Sequence, residues 1–125
     1  MKRTLLAAIV ASAFAATAAD TLAPGKYSGN YEIQSRTGPV TASVVVDIKE
    51  VTKDKVTAMS TINGTTGCDG DVPMEGKYSK GTLFLKTTQK YGRAGDCTFN
   101  FKVKPDGNKL VGKTGGGRAL TLTKS

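Results

Sequence analysis

Apolar and polar side chains alternate with a period of two from residue 26 onward, and turn-forming residues interrupt this alternation at intervals of about eight to twelve positions. A period of two places successive side chains on opposite faces of a β-strand. Short strands at this spacing are typical of an all-β sandwich or barrel. The pattern predicts strands over residues 26–34, 40–51, 55–62, 72–78, 82–88, 97–104, 109–113 and 118–124.

Links of hairpin length join these eight segments, so we predict an antiparallel up-and-down meander. A meander of this size can close into a small β-barrel, which removes the unpaired edges that invite aggregation. A closed barrel is therefore our first expectation, with a β-sandwich as the alternative. The sixth segment shows the clearest alternation and is predicted to turn four side chains inward: Cys97, Phe99, Phe101 and Val103.

The predicted links alternate in length along the chain. Those after strands two, four and six are short, whereas the others are longer and cover residues 35–39, 63–71, 89–96 and 114–117. Alternate links of a meander lie at the same end of the sheet, so the longer ones should form one rim. Cys68 lies in one of these links and Cys97 directly follows another, so both should reach that rim.

The first nineteen residues have the composition of a secretory signal peptide, which is expected to be helical. Lys2 and Arg3 precede an uncharged apolar run over residues 5–16, and small residues follow at 16–19. The run is shorter than the roughly 20 residues that a membrane span needs. We therefore expect residues 20–125 to form one β-barrel domain, periplasmic or secreted, from a bacterial source. Neither cysteine lies directly after the signal region, where it could accept a lipid.

Two cysteines in an exported domain are expected to pair, so we predict a Cys68–Cys97 disulfide. On the chain-entropy account this bond would stabilise the fold by roughly 3–4 kcal/mol. A zinc site is the competing interpretation, but the sequence has no histidine and two thiolates alone cannot complete a tetrahedral site. No metal and no other cofactor is predicted.

The chain is basic, with 18 Lys and Arg against 10 Asp and Glu, or 16 against 10 once Lys2 and Arg3 are removed with the signal peptide. This excess has two interpretations: a solvated strand surface, or attraction to an anionic partner such as lipid headgroups, polysaccharide or nucleic acid. Nucleic acid is disfavoured, because the lysines are scattered singly and the chain carries an export signal.

Most catalytic devices are missing from the sequence. Without histidine there is neither a Ser-His-Asp nor a Cys-His arrangement. A glycosidase pair would have to come from strand carboxylates that we expect at the surface, namely Glu32, Asp47, Glu50 and Glu75. The acidic segment around Asp69 lacks the distal Glu of a calcium-binding EF-hand loop. We therefore predict a protein that is not an enzyme and has no catalytic residues.

Loops on a rigid frame commonly carry binding residues. We accordingly predict a binding module whose disulfide-tied rim contacts a small anionic or polar ligand through Arg36, Lys90, Tyr91, Arg93 and Arg118. The barrel lumen stays open as a further contact surface, because an eight-stranded barrel can be filled by side chains or hold one small ligand. The aromatic ring of Tyr91 could offer a stacking face beside Arg93. The alternative is a protein-interaction factor, such as an inhibitor, an immunity protein or a surface antigen, which binds an envelope protein through its outer strand face.

The opening of the first strand, Gly25-Lys26-Tyr27, resembles that of the calycin group of lipocalin- and avidin-like barrels, as does the eight-strand plan of the chain. Those families begin with Gly-x-Trp and place a basic residue from near the chain end over the tryptophan ring. Here Tyr27 stands in place of the tryptophan and Lys124 is the nearest basic residue, since Arg118 lies at the wrong end of the last strand. The resemblance implies a barrel that binds a small ligand or a protein.

Overall fold

The computed structural model describes residues 22–35 and 37–125; the predicted signal peptide and Arg36 lie outside these ranges. Within them, eight antiparallel strands pair in chain order and close into a barrel. This confirms the predicted meander and barrel over the sandwich. The strands are β1 (Gly25–Ser35), β2 (Gly38–Val51), β3 (Val56–Asn63), β4 (Gly70–Ser79), β5 (Thr82–Thr87), β6 (Asn100–Asp106), β7 (Lys109–Thr114) and β8 (Ala119–Lys124).

Alternating burial explains why these segments form strands. Along β2, every second side chain from Ala42 to Ile48 is buried, while those between them are half-buried or exposed. The β-branched residues that dominate this stretch pack well on a pleated surface. The antiparallel register joins inward residues to one another across each pair of strands, as where Leu85 lies opposite Phe101. One apolar face is thereby turned toward the barrel axis.

Apolar side chains fill the interior of the barrel. Its centre includes five residues with no accessible surface: Ile62, Leu83, Leu85, Phe101 and Leu122. Side chains in this state leave no room for water beside them, so the middle of the barrel is a packed core. The one buried polar side chain in the described ranges is Ser60, whose hydroxyl donates to the Val72 carbonyl at 3.2 Å. Leu22, before β1, joins the same core.

Three inward-facing glycines allow neighbouring strands to approach closely. A Cβ at Gly76 would overlap the carbonyl oxygen of Phe84 on β5. Gly29 meets the Thr121 carbonyl in the same way, and Gly112 meets that of Lys102. Glycines at such points permit the local bending that a small closed sheet requires.

The first predicted link is wrong, because β1 and β2 are joined by residues 36–37 alone rather than by a longer loop over 35–39. Ser35 and Gly38 still belong to the antiparallel ladder. Gly38 has a φ of +119°, a backbone conformation that residues other than glycine rarely adopt. This glycine helps the chain to reverse within the short span. The two strands therefore form one long hairpin.

The sixth strand begins at Asn100 and not, as predicted, at Cys97. Because the β5–β6 ladder ends where Lys86 faces Asn100, the preceding residues have no strand partner in that ladder. Cys97 instead forms an isolated bridge with Tyr91. At its other end β6 extends through Pro105 and Asp106. The link to β7, predicted over residues 105–108, therefore consists of residues 107–108 alone.

Within residues 22–35 and 37–125, no helix has the length and hydrophobicity needed to cross a bilayer.

Replacement of Gly76 by alanine should destabilise the barrel by about 2 kcal/mol, because the new methyl group would force β4 away from β5. Gly116→Ala is the matched control, since the nearest atom to its new methyl group is the Thr114 hydroxyl oxygen at 3.9 Å. Urea unfolding of both variants measures the difference. Equal free energies of unfolding for the two variants would show that β4 and β5 can separate at Gly76 without loss of stability.

Candidate functional site

Four links lie at one end of the barrel, which we call the loop end. They are the links β1–β2, β3–β4, β5–β6 and β7–β8. The disulfide joins the β3–β4 loop, residues 64–69, to the β5–β6 loop, residues 88–99. The Cα atoms of Cys68 and Cys97 lie 5.8 Å apart. The bond confirms the predicted pairing and ties the two longest links of the loop end together.

The β1–β2 hairpin projects beyond the barrel at the loop end. β1 pairs with β2 along its whole length but with β8 only at Tyr27–Asn30. β2 in turn pairs with β3 only from Ser43 onward. Residues 31–35 and 38–42 therefore form a two-stranded projection, here called the overhang. The β3–β4 loop contacts it where Gly64 lies against the backbone of Thr41 and Ala42.

Aromatic rings form a floor beneath the overhang. The ring of Tyr31 stacks on that of Phe99, with centroids 5.1 Å apart, and Phe99 lies against Phe101 at 5.7 Å. Pairs at these separations add stability beyond simple area burial. The three rings connect the packed core below to the open loop end above.

A cleft of about 450 Å³ opens above this floor. The cleft lies where β1 and β8 are no longer paired, because their ladder covers only Tyr27–Asn30 of β1 and Thr121–Lys124 of β8. Side chains from the overhang, both disulfide-linked loops and the β7–β8 turn surround it. The lining residues that matter most for its chemistry are Tyr31, Cys68, Tyr91, Phe99, Asn100 and Arg118.

The β3–β4 loop has its own hydrogen-bond network. The Asp69 carboxylate accepts from both the backbone N–H, at 2.8 Å, and the hydroxyl of Thr65. These bonds hold the pKa of Asp69 below its ordinary value. The Thr65 hydroxyl oxygen accepts from the Cys68 N–H at 2.8 Å, and the Gly67 carbonyl accepts from the Arg93 N–H at 2.8 Å. The loop wall is thus fixed by contacts in addition to the disulfide.

Two tyrosine hydroxyls in the cleft have no hydrogen-bond partner within residues 22–35 and 37–125. These belong to Tyr31 and Tyr91, whereas the Tyr27 hydroxyl donates to the Ala23 carbonyl at 2.8 Å. Burial, followed by the proximity of Tyr91 and Asp69, raises the pKa of Tyr31 to about 12. Burial and Asp69 also raise the pKa of Tyr91. Both groups are therefore neutral donors at physiological pH.

The structure brings together some of the predicted ligand residues and separates others. Tyr91 and Arg118 line the cleft, with Arg118 in the turn before β8. Arg93 lines a neighbouring depression beside Asp69. Lys90 is exposed on the β5–β6 loop outside the cleft lining, and Arg36 lies outside the described residues.

The alternation predicts an inward-facing Phe99 but does not identify Tyr31, Phe99 or Asn100 as site residues. One signal was present, since Tyr31 lies near the end of its predicted strand and Phe99 near the beginning of the sixth. In an antiparallel meander these positions fall at the same end as the longer links. Inward aromatics at that level can line a cleft as well as a core.

The strand carboxylates lie at the outer surface, as the alternation predicts. The Asp47 carboxylate forms an ion pair with the Lys49 amine at 2.8 Å, and the Glu75 carboxylate lies 3.8 Å from the Lys55 amine. Glu32 and Glu50 are exposed, and Glu32 is also among the residues that line the cleft. Among the residues that the structure describes, no group of three or more potential Cys, Asp or Glu ligands is placed to hold a metal ion.

Comparison with protein-family models, with curated proteins and with solved structures finds no match to this chain. The fold itself defines a small closed antiparallel β-barrel with one disulfide, which is consistent with a calycin-like fold in general. Lys124 lies opposite Tyr27 in the β1–β8 register, and its side chain runs beside Gly25. The basic residue near the chain end thus lies next to the opening motif of the first strand.

Removal of the disulfide by Cys68→Ala/Cys97→Ala should destabilise the protein by about 3–4 kcal/mol, because the bond closes a long loop in the unfolded chain. The sequence separation of the two residues is 29. Urea unfolding measures the loss, and the reduced wild-type protein serves as the control. A loss below about 1 kcal/mol in both would contradict this role.

Stability should fall between pH 10 and about pH 12 as Tyr31 ionises. The unfolded chain loses this proton near pH 10, whereas the folded protein retains it to about pH 12. The stabilisation is therefore complete below pH 10 and is lost as the pH rises through this window.

Tyr31→Phe removes the ionising group and should flatten that part of the stability curve. Urea unfolding of wild type and variant at matched pH values isolates this contribution from those of other alkaline groups. If the free energy of unfolding falls equally with pH in the two proteins, ionisation of Tyr31 is not the cause of the alkaline loss of stability.

Proposed function

We propose that this protein is an exported, non-enzymatic binding module that holds a small planar polar ligand in the cleft at its loop end. The observation that carries this proposal is the pair of tyrosine hydroxyls, on Tyr31 and Tyr91, that face the cleft without a partner in the described part of the chain. No buried side-chain polar atom of the described residues lacks a hydrogen-bond partner, so these two hydroxyls are accessible from the cleft. A ligand could therefore bond to them in place of water.

The dimensions of the cleft favour a small molecule over a polymer. Its volume of about 450 Å³ falls within the usual range for small-molecule sites. The packed barrel leaves no room for a ligand at the level of Phe101 or Leu85. The cleft combines an aromatic floor with a few convergent polar groups, which is the common composition of such sites.

Charge favours an acidic group on the ligand. Arg118 lines the cleft together with one acid, Glu32, and the arginine has no ion-pair partner within the described ranges. An arginine can bind a carboxylate or a sulfonate through two parallel hydrogen bonds. The Asn100 side chain, also at the cleft, can donate and accept beside it. The preferred ligand therefore has an aromatic or other flat ring and one anionic substituent.

Several sequence features support the absence of catalysis and the exported location. The chain lacks histidine, the most frequent general base, and its N-terminal residues have the pattern of a signal peptide. The disulfide is compatible with an oxidising compartment. The resemblance to calycin-like barrels supports the same general role.

Binding of 8-anilinonaphthalene-1-sulfonate tests this proposal, because the probe carries flat rings and one anionic group. We expect saturable binding of one probe per chain. Arg118→Ala and Tyr91→Ala should each weaken it by about tenfold, through loss of a charge-assisted bond or of a ring contact and donor. Probe fluorescence measures the affinity.

Lys53→Ala, in the β2–β3 turn at the opposite end of the barrel, is the matched control and should bind as wild type does. Near-ultraviolet circular dichroism verifies that each variant is folded, since the probe also binds partly unfolded chains. Unchanged affinity in both cleft variants would refute the proposed site. Native mass spectrometry of the purified protein would then show whether a natural ligand binds elsewhere.

A further inference from the structure

The outer face of strands β4–β7 carries an array of lysines that follows from the strand register. Lys77 lies opposite Phe84, Phe84 opposite Lys102, and Lys102 opposite Lys113. These residues form one row across four neighbouring strands. Since adjacent strands lie about 4.8 Å apart, the side chains of the row are close neighbours.

The rows on either side extend this array. Lys86 lies opposite Asn100 in one, and Lys104 lies opposite Val111 in the other. Residues two apart on one strand are separated by about 6.6 Å. The five lysines thus cover a two-dimensional patch, which we call the lysine face: Lys77, Lys86, Lys102, Lys104 and Lys113.

The lysines of the lysine face outnumber the acids beside them, Glu75 and Asp106. None of its lysines forms an ion pair with another described residue. Glu75, the acid opposite Lys86, is oriented within 3.8 Å of Lys55 instead. The outer face of β1 and β2 is different, because Glu32, Asp47 and Glu50 offset the lysines there. The positive field is therefore concentrated on one side of the barrel.

Apolar side chains lie within the lysine face. Phe84 is half-buried at its centre, and the Lys102 amine lies 5.8 Å from the ring centroid. Val111 is 41% exposed, and among the described residues only Met59 is another large hydrophobic side chain exposed to a similar degree. A surface with several cations around an exposed aliphatic group can contact both the headgroups and the upper acyl region of a membrane.

We propose that the lysine face docks this barrel onto the surface of an anionic lipid bilayer. Lysine clusters of this size associate with anionic headgroups through diffuse attraction and need no fixed pairing geometry. The two described arginines, Arg93 and Arg118, lie instead at the loop end. The face thus lacks the bidentate forks that favour phosphate recognition in nucleic acids, and its aromatic ring, Phe84, is half-buried beside the Lys102 amine rather than open for base stacking.

Docking in this orientation leaves the ligand cleft accessible. The lysine face runs along the side of the barrel, whereas the cleft opens at its end. None of the five lysines lines the cleft, and the two surfaces meet only where Asn100, which lines the cleft, lies opposite Lys86. Membrane association therefore does not depend on the proposed ligand, and either proposal can fail without the other.

Vesicle cosedimentation of the purified protein tests the docking surface. The probes are vesicles of 30 mol% phosphatidylglycerol in phosphatidylcholine, compared with pure phosphatidylcholine, each at low and at high sodium chloride concentration. The protein should sediment with the anionic vesicles at low salt. High salt should release most of it, because screening weakens exposed charge interactions.

Two triple variants remove equal charge from different faces. Lys102→Gln/Lys104→Gln/Lys113→Gln should lower the partition coefficient by at least about tenfold. Lys26→Gln/Lys49→Gln/Lys53→Gln is the matched control and should retain binding within about twofold of wild type. Val111→Ser should weaken binding by a few-fold, whereas Met59→Ser should not.

Three results would overturn the proposal. The first is no cosedimentation with anionic vesicles at low salt, and the second is an equal loss of binding in the two triple variants. The third is binding to an anionic polysaccharide, such as dextran sulfate, without vesicle binding, which would assign the lysine face to a soluble polyanion. Circular dichroism of every variant establishes that a loss of binding does not reflect unfolding.

Discussion

Closure of the sheet depends on a short antiparallel seam of four residue pairs, in which Tyr27–Asn30 of β1 face Thr121–Lys124 of β8. Without this seam, two strands would expose their backbone donors and acceptors as edges. Gly29 makes the seam possible, because any larger residue would collide with the Thr121 carbonyl. The Tyr27 hydroxyl also anchors the chain before β1 through Ala23. The closed barrel, its core and its loop end all follow from this contact.

The shortness of the seam also determines where a ligand could bind. The core excludes ligands from the barrel centre, since residues such as Phe101 have no accessible surface. Beyond Asn30, β1 continues with β2 and leaves β8, so the mouth remains open on one side. The disulfide and the Asp69–Thr65 bonds then stabilise the opposite wall. A fixed opening in a rigid frame is a favourable place for recognition.

The sequence allowed most of the fold to be predicted because the period-two alternation encodes which face of each strand is buried. It placed Phe101 and Val103 inward and Lys102 outward, and β6 has this arrangement. Strand ends were harder to predict, because they depend on partners that sequence alone does not identify. Cys97 continues the alternation of β6 but lies beyond the end of the β5 ladder, so it pairs with Tyr91.

The candidate site was predictable only in outline, because it depends on differences in length between strands. Link lengths indicated the loop end, and Cys68 and Cys97 were correctly brought together there. Nothing in the alternation reveals that β1 extends past β8, so the cleft and the position of Tyr31 within it could not be inferred.

The same register argument gives the scattered lysines a spatial order. Lys77, Lys86 and Lys102 are distant in sequence, yet antiparallel pairing places them on one face. Single charges at alternate strand positions thus become a patch without any charged run in the chain. A closed barrel can in this way support two separate surfaces, one formed by strand faces and the other by strand ends.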